Sequence, residues 1–264
     1  ASIQRLFSYG AWADKYDGSL SDVFELQDRI AATAASIIEP RLRFSEVERL
    51  RRSRPQNMDA YDLWLRAVSL SLDFTEASMV SAIAHLDRAI EIDPSFALAM
   101  ASHAYYQAQC YFQGWKLAPA ATHTNAAQLA WTAVEIAKND ANVLWQSAFA
   151  VWTLEKDGPR ARELCRRALL TNPNSAMALA MAGWIEAVNG NPEGGRRLIE
   201  QSQRLNPQHP RAWFIQTGMA LACLAEGKYS EAAEWAERAL MHNRRIAVAL
   251  RVLAVAQVNT GQLA

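Results

Sequence analysis

Few residues in this 264-residue chain have the types and spacing of a reactive centre. His103 and Cys110 stand seven apart, two helical turns, so a helix would bring both to one face. There they could begin a metal site. Two such residues without a third ligand hold zinc poorly, so a packed histidine and a buried thiol are expected instead. Gly194-Gly195 lacks the Lys-Ser/Thr that phosphate capture needs, and it suits a close helix–helix contact better. The sequence holds no HExxH, GxSxG or paired-carboxylate motif. The arginines between Arg41 and Arg54 suggest a nucleic-acid patch, but Glu46 and Glu48 dilute them, and cations near a helix end complement its dipole. A solvated helix or linker is the expectation. The sequence therefore predicts no catalytic residue, no metal and no cofactor.

The remaining chemistry is aromatic. Tyr105, Trp145, Phe149, Trp152, Trp184, Phe214 and Leu221 are placed on one face by counting from repeated small residues, with the amides of Gln109 and Asn142 nearby and Trp115 added from an irregular stretch. Lined up on one concave face, they would anchor an extended peptide or a helix through apolar contacts and amide hydrogen bonds. The competing expectation is that most of them form the core between helices. Tyr105, Trp115, Asn142, Trp145, Phe149, Trp152, Trp184 and Phe214 are the candidate partner-binding residues.

The elements that must position them repeat. The stretch Ala161–Glu200 holds an amphipathic helix, an Asn172-Pro173 turn, a second helix ending near Gly190, and the start of a third. Small residues late in the second helix of each pair fall at Ala89, Ala133, Ala168, Ser202 and Ala239, spaced by 44, 35, 34 and 37. A second marker set, in the first helix of each pair, runs Ala104, Ala148, Gly183, Ala220 and Ala254. Three of the four spacings lie near the ~34 residues of a tetratricopeptide repeat (TPR). Pro94, Pro173 and Pro207 each follow their marker by five residues and would end the helix there. The predicted fold is all-α, a right-handed superhelical array of helix-turn-helix repeats. About five repeats and an unpaired last helix are expected over residues 58–264.

Two departures from the period stand out. The spacing of 44 implies about ten extra residues between Cys110 and Asn125, including Tyr111, Phe112 and Trp115. They either form a loop on the binding face or lengthen the first helix of that repeat and pack on its neighbour. The last helix, from about Ile246 to Gly261, carries Val248, Val252 and Val255 on one side and Leu250, Leu253 and Ala254 on another. A helix apolar on two sides calls for a further cover, from more chain or from another molecule.

Composition narrows the class. With 27 basic and 27 acidic residues the chain carries no net charge, which argues against electrostatic capture of nucleic acid or an acidic membrane. Cys110, Cys165 and Cys223 are dispersed in apolar helical patterns, as reduced buried thiols of a cytoplasmic protein would be. No stretch approaches the ~20 apolar residues of a membrane span, and the start is unlike a signal peptide. The chain opens and closes in mid-pattern, so it is expected to be part of something longer.

Residues 1–39 differ from the array. Ile3–Trp12 reads as a strand closed by Asp17-Gly18, and Val23, Leu26, Ile30, Ala34 and Ile37 give one apolar helix face before Pro40. A charged linker, 40–57, follows. The text Trp12-Ala-Asp-Lys-Tyr-Asp-Gly18 and Val23-Phe-Glu-Leu-Gln-Asp28 resembles the tail of the TolB-like domain of bacterial signalling proteins, a remnant of an α/β domain. Asn57-Met-Asp-Ala-Tyr-Asp-Leu63 is similar to the opening of the TPR array that follows it there. That resemblance implies the C-terminal half of a class III adenylate or guanylate cyclase, or of a winged-helix transcriptional regulator. It implies an effector domain upstream and carries over no catalytic residue. The expected function is a non-catalytic interaction or sensory scaffold in the cytoplasm, with a protein or peptide in its groove. The alternative is a self-association module of a winged-helix transcriptional regulator, forming a homo-oligomer through the exposed last helix.

Overall fold

The computed structural model describes residues 59–115, 121–207 and 209–261, with side chains omitted at 121–124. The strand expected at Ile3–Trp12, the TolB-like tail and the 40–57 linker lie outside the described residues.

Eleven α-helices follow one another, and no strand occurs among the described residues. They are α1 (Asp59–Asp73), α2 (Glu76–Ile92), α3 (Ala97–Gln113), α4 (Ala121–Ile136), α5 (Ala141–Ala150), α6 (Gly158–Thr171), α7 (Ala176–Val188), α8 (Pro192–Leu205), α9 (Ala212–Ala225), α10 (Tyr229–His242) and α11 (Ala247–Asn259). A π-helical turn, Val151–Glu155, continues α5 until Lys156 leaves it in a left-handed conformation, φ 60°.

The helix ends follow local chemistry. Asp140, Asp157, Ser175 and Asn191 cap α5, α6, α7 and α8 by accepting backbone N–H groups that lack a helical partner. Thr75 and Ser78 form a reciprocal capping box at α2. Helices α2, α6 and α8 stop two residues before Pro94, Pro173 and Pro207. Gly114, at φ 77°, closes α3 in the left-handed region that a side chain disfavours.

Consecutive helices pair as antiparallel hairpins, α1/α2 through α9/α10, with α11 beyond. The odd-numbered helices also pack on one another, α3 on α5, α5 on α7 and α7 on α9, so they form one continuous inner face. The second-helix markers Ala89, Ala133, Ala168, Ser202 and Ala239 are fully buried where helices cross. At the centre the approach is closest. A Cβ on Gly183 would lie 2.7 Å from the Gly195 carbonyl oxygen, and one on Gly195 would lie 2.5 Å from that of Gly183. Only two glycines let α7 and α8 touch backbone to backbone.

The first-helix marker of the last unit does not hold. Ala254 is exposed, and α11 instead buries Val248, Ala249, Val252 and Ala256. Val255, expected beside Val248 and Val252, instead faces solvent with Leu250 and Val258, so α11 keeps an exposed apolar side with a different membership. Of the extra residues after Cys110, Tyr111, Phe112 and Gln113 lengthen α3 and Trp115 packs against the core, while 116–120 lie outside the described residues.

Candidate functional site

The inner face is a ladder of aromatic rings. From α3, Tyr105 meets Trp145 and Phe149 of α5 edge-on, at centroid separations of 5.0 and 5.3 Å. Phe149 reaches Phe214 of α9 at 6.3 Å, and Phe214 stacks on Trp184 of α7 at 4.6 Å with the planes within 4°. Phe112, near the end of α3, touches Phe149, Trp152 and Trp184. Such pairs contribute about 0.5–1.5 kcal/mol each beyond the area they bury. The stack needs Gly218, whose Cβ would fall 2.0 Å from Trp184 Nε1. That indole N–H instead donates to the Phe214 carbonyl oxygen at 3.1 Å.

All eight candidate residues belong to this network, at two depths. Tyr105, Trp145, Phe149, Trp184 and Phe214 are buried. Asn142, Trp152 and Trp115 are half-buried at the rim. Asn142 Oδ1 accepts from Trp145 Nε1 at 3.3 Å, and Gln109 Nε2 donates to the Tyr105 hydroxyl at 2.8 Å. Burial raises the Tyr105 phenol to about 12, so it stays protonated. The amides thus orient rings as well as lining the face.

The floor is covered from within the chain. Phe74, in the turn between α1 and α2, is only 4% exposed although it lies in a loop. Its ring sits 4.2 Å from that of Trp213 and 5.3 Å from that of Trp115. Its carbonyl oxygen accepts from Asn243 Nδ2, 169 residues away, at 3.1 Å. The backbone is strained at this position: Phe74 has φ 45°, a conformation that costs a non-glycine residue about 1–2 kcal/mol. Burying a phenylalanine ring contributes roughly 2–3 kcal/mol, which outweighs that strain. Between Phe74, Phe112, Phe149, Trp184, Phe214 and Val248 a cavity of about 20 Å³ is left, room for roughly one water.

Polar contacts complete the same seam. Arg211, just before α9, donates from Nη2 to Ser71 Oγ of α1 at 2.8 Å and to the Tyr106 hydroxyl at 3.3 Å. Its guanidinium lies 5.6 and 5.8 Å from the centres of the Tyr105 and Tyr106 rings. Among the described residues no carboxylate pairs with it, so hydroxyls and ring faces hold this charge. The Arg211 amide donates to His209 Nδ1 at 3.0 Å, and burial together with the Arg211 charge pushes the His209 imidazole down to about 4. The first amide of α11, Ala247 N–H, donates to Gln113 Oε1 at 2.8 Å, and Arg251 Nη2 reaches the Phe112 carbonyl at 3.0 Å. The end of α3 and the start of α11 therefore satisfy each other's orphan groups.

The residues with reactive types do not assemble. His103 Nε2 lies 2.8 Å from Asp87 Oδ1 and is not directed to Cys110 by any hydrogen bond. Burial raises the thiols, Cys110 to about 12, Cys223 to about 11 and Cys165 higher still. Neutral buried thiols are poor nucleophiles. Among the described residues no three His, Cys, Asp or Glu side chains cluster as a metal site would, and no helix is long and apolar enough to cross a membrane.

Sequence reasoning missed Phe74, Arg211, Trp213 and Asn243. A hydrophobic residue one place before an N-cap, as Phe74 is before Thr75, ordinarily packs locally against its own helix. Arg211 carried a signal. A lone cation at the start of the otherwise uncharged helix Ala212–Ala225 opposes the helix dipole and needs a reason to be there.

Comparison with solved structures settles the architecture. A thermophilic TPR protein of Thermus thermophilus superposes with a TM-score of 0.57 over 75% of this chain and 99% of its own, at 17% identity. The fold is a TPR α-solenoid. The Cut9–Hcn1 hetero-tetramer of the APC/C shares the solenoid with a TM-score of 0.54, over 76% of this chain and 40% of that one, at 12% identity. At the level of sequence, a Rhizobium meliloti (strain 1021) protein named "Putative adenylate cyclase 3" is 32% identical over 124 residues. The match spans 47% of this chain and 21% of that protein, so it covers only about a fifth of that protein's length. No protein-family model matches the chain.

Proposed function

We propose that this solenoid is a non-catalytic interaction module, the regulatory part of a larger signalling protein of the adenylate or guanylate cyclase kind. Its inner aromatic face would receive a peptide or helix of a partner protein, whose binding shifts the output of an effector domain. The observation that carries this reading is the half-buried set Trp115, Trp152 and Asn142, held in place by the buried rings from Tyr105 to Phe214. Aromatic anchors beside amide groups are the surface that short peptide segments bind. The 32% identity to the Rhizobium meliloti protein supports the cyclase connection.

The reading is tested by selecting peptides on the chain from a random display library. Trp152→Ala and Asn142→Ala are expected to weaken the selected peptides at least fivefold, with helicity unchanged. Selected binders indifferent to both changes would count against it.

A second reading, self-association, is favoured by α11, where Leu250 and Val255 are each 46% exposed and Val258 is 61% exposed. Light scattering over a concentration series separates the two. A mass that rises with concentration, and that Val258→Asp returns to the monomer, supports association. A constant monomer mass eliminates it.

A further inference from the structure

The seam between the first and fifth hairpins has the form of a recognition contact whose two sides belong to one chain. The turn residue Phe74 supplies an aromatic ring and a backbone carbonyl. The facing surface supplies the Trp213 and Trp115 rings at 4.2 and 5.3 Å and the Asn243 amide at 3.1 Å. A bound peptide is held in the same way, by a side-chain anchor and main-chain hydrogen bonds. We propose that this is a receptor site for an aromatic side chain on a partner peptide, and that the α1–α2 turn occupies it as an internal ligand which the partner displaces. The proposal rests on the peptide-binding reading above and names the chemistry of the partner: a phenylalanine, tyrosine or tryptophan in a turn or extended segment whose own carbonyl is free to accept from Asn243.

Three observations make the internal ligand exchangeable. Phe74 holds a left-handed backbone, φ 45°, that a partner residue in a relaxed conformation need not adopt. Tethering gives the turn a high effective concentration, so even a strained contact stays closed until a better one competes. The polar contacts across the seam are Arg211 to Ser71 and Tyr106, with its guanidinium over the Tyr105 and Tyr106 rings, then Ala247 to Gln113 and Arg251 to the Phe112 carbonyl. The last two do not involve α1 or α2, so the turn can leave without undoing them. The α1/α2 hairpin keeps its own attachment to α3 through the Trp64 N–H to Ser102 Oγ bond at 3.0 Å and the packing of Tyr61 and Trp64 on Phe96. Release of the turn therefore need not unfold the first hairpin. A closed seam lowers the apparent affinity of any competitor by the fraction of molecules that are open.

The test uses the turn's own sequence as probe. A fluorescent peptide of residues 71–77, Ser-Leu-Asp-Phe-Thr-Glu-Ala, acetylated and amidated, is titrated into wild type, Phe74→Gly and Phe74→Gly/Asn243→Ala. Phe74→Gly removes the plug and suits the left-handed backbone. It is expected to bind the peptide at least about tenfold tighter than wild type. Adding Asn243→Ala is expected to weaken that binding about fivefold. Equal affinity in wild type and Phe74→Gly, with helicity the same, overturns the proposal. Concentration-dependent exchange of the turn between two copies of wild type also overturns it, since the site would then serve self-association.

If Phe74→Gly loses helicity, the Phe74 ring resonances decide in the wild type. Saturating peptide is expected to move them toward solvent-exposed values, because the ring leaves Trp213 and Trp115; unchanged resonances overturn the proposal. Peptide capture by Phe74→Gly, combined with display binders indifferent to Trp152 and Asn142, leaves the exchangeable turn standing and removes the broader function. The reverse pattern removes only the turn's role.

Discussion

The α6–α8 centre and the seam between α1–α3 and α9–α11 are both tightly closed, by opposite means. At the centre the partners are near in sequence: Gly183 with Gly195, Ser202 Oγ with the Ala176 carbonyl, and the Asn172-Pro173 turn between helices. At the seam the partners are 105 to 169 residues apart and include a strained turn, a guanidinium held by hydroxyls, and carboxamides used as caps. Small residues at a fixed period are enough to close a repeat on its neighbour. Closing the array on itself requires residues that belong to no period. The difference teaches that the regular contacts join neighbouring repeats, while the irregular ones join the two ends of the array.

The largest expected effect sharpens the contrast at its regular end. Gly183→Leu should cost about 3 kcal/mol or more, because its added atoms meet the Gly195 carbonyl and Ile199 with no room to retreat. Urea unfolding measures it, and a loss below about 1 kcal/mol would break the claim that backbone contact fixes this joint. Phe74→Ala comes next, at about 3 kcal/mol, since it empties the site yet keeps the left-handed strain. The changes should differ in place as well as size. Phe74→Ala should speed amide exchange in α1 and α9 and leave α6–α8 protected. Uniform acceleration would mean that the seam and the centre form one cooperative unit.

Arg211→Met should cost about 1–2 kcal/mol, because the Ser71 and Tyr106 hydroxyls lose their donor and the rings their cation. Thermal melting checks it. No measurable loss would mean that aliphatic packing alone holds that corner.

The smallest effect is in pH. His209 has a folded pKa near 4, below its usual 6.5, so the unfolded chain binds the extra proton first. Its contribution is fully present above about pH 6.5 and is lost as pH falls toward 4. Protonation of Nδ1 removes the acceptor of the Arg211 amide and sets a second cation beside the guanidinium. Partial exposure limits the effect to roughly 1–2 kcal/mol. His209→Asn should flatten the decline in melting temperature over that window relative to wild type, and parallel curves would rule the histidine out.

Much of the architecture was legible because its causes are local. The prolines at 94, 173 and 207 stop helices by removing a donor and restricting the preceding residue, which needs no knowledge of the fold. The small residues at Ala89, Ala133, Ala168, Ser202 and Ala239 mark crossings because only small side chains let helix axes approach. The aromatic set was legible as a group, since all eight candidate residues meet in one network. Its depth was not. Whether Trp184 lies on the floor or at the rim depends on the curvature of the whole array, which no single hairpin specifies. Ala254 misled for the same reason: its place in the period predicts a contact that the last helix, with no following hairpin among the described residues, does not make.

By itself, the sequence determined that the chain forms repeated helical hairpins, where most of them end, and which residue types crowd the inner face. These follow from backbone sterics, capping and hydrophobic periodicity, which act over a few to a few tens of residues. Only the tertiary structure decided that Phe74 reaches Trp213, that Arg211 spans α1 and α3, and that Asn243 holds a carbonyl 169 residues away. Small twists accumulate from one repeat to the next, and their sum, rather than any local preference, brings the first hairpin onto the fifth.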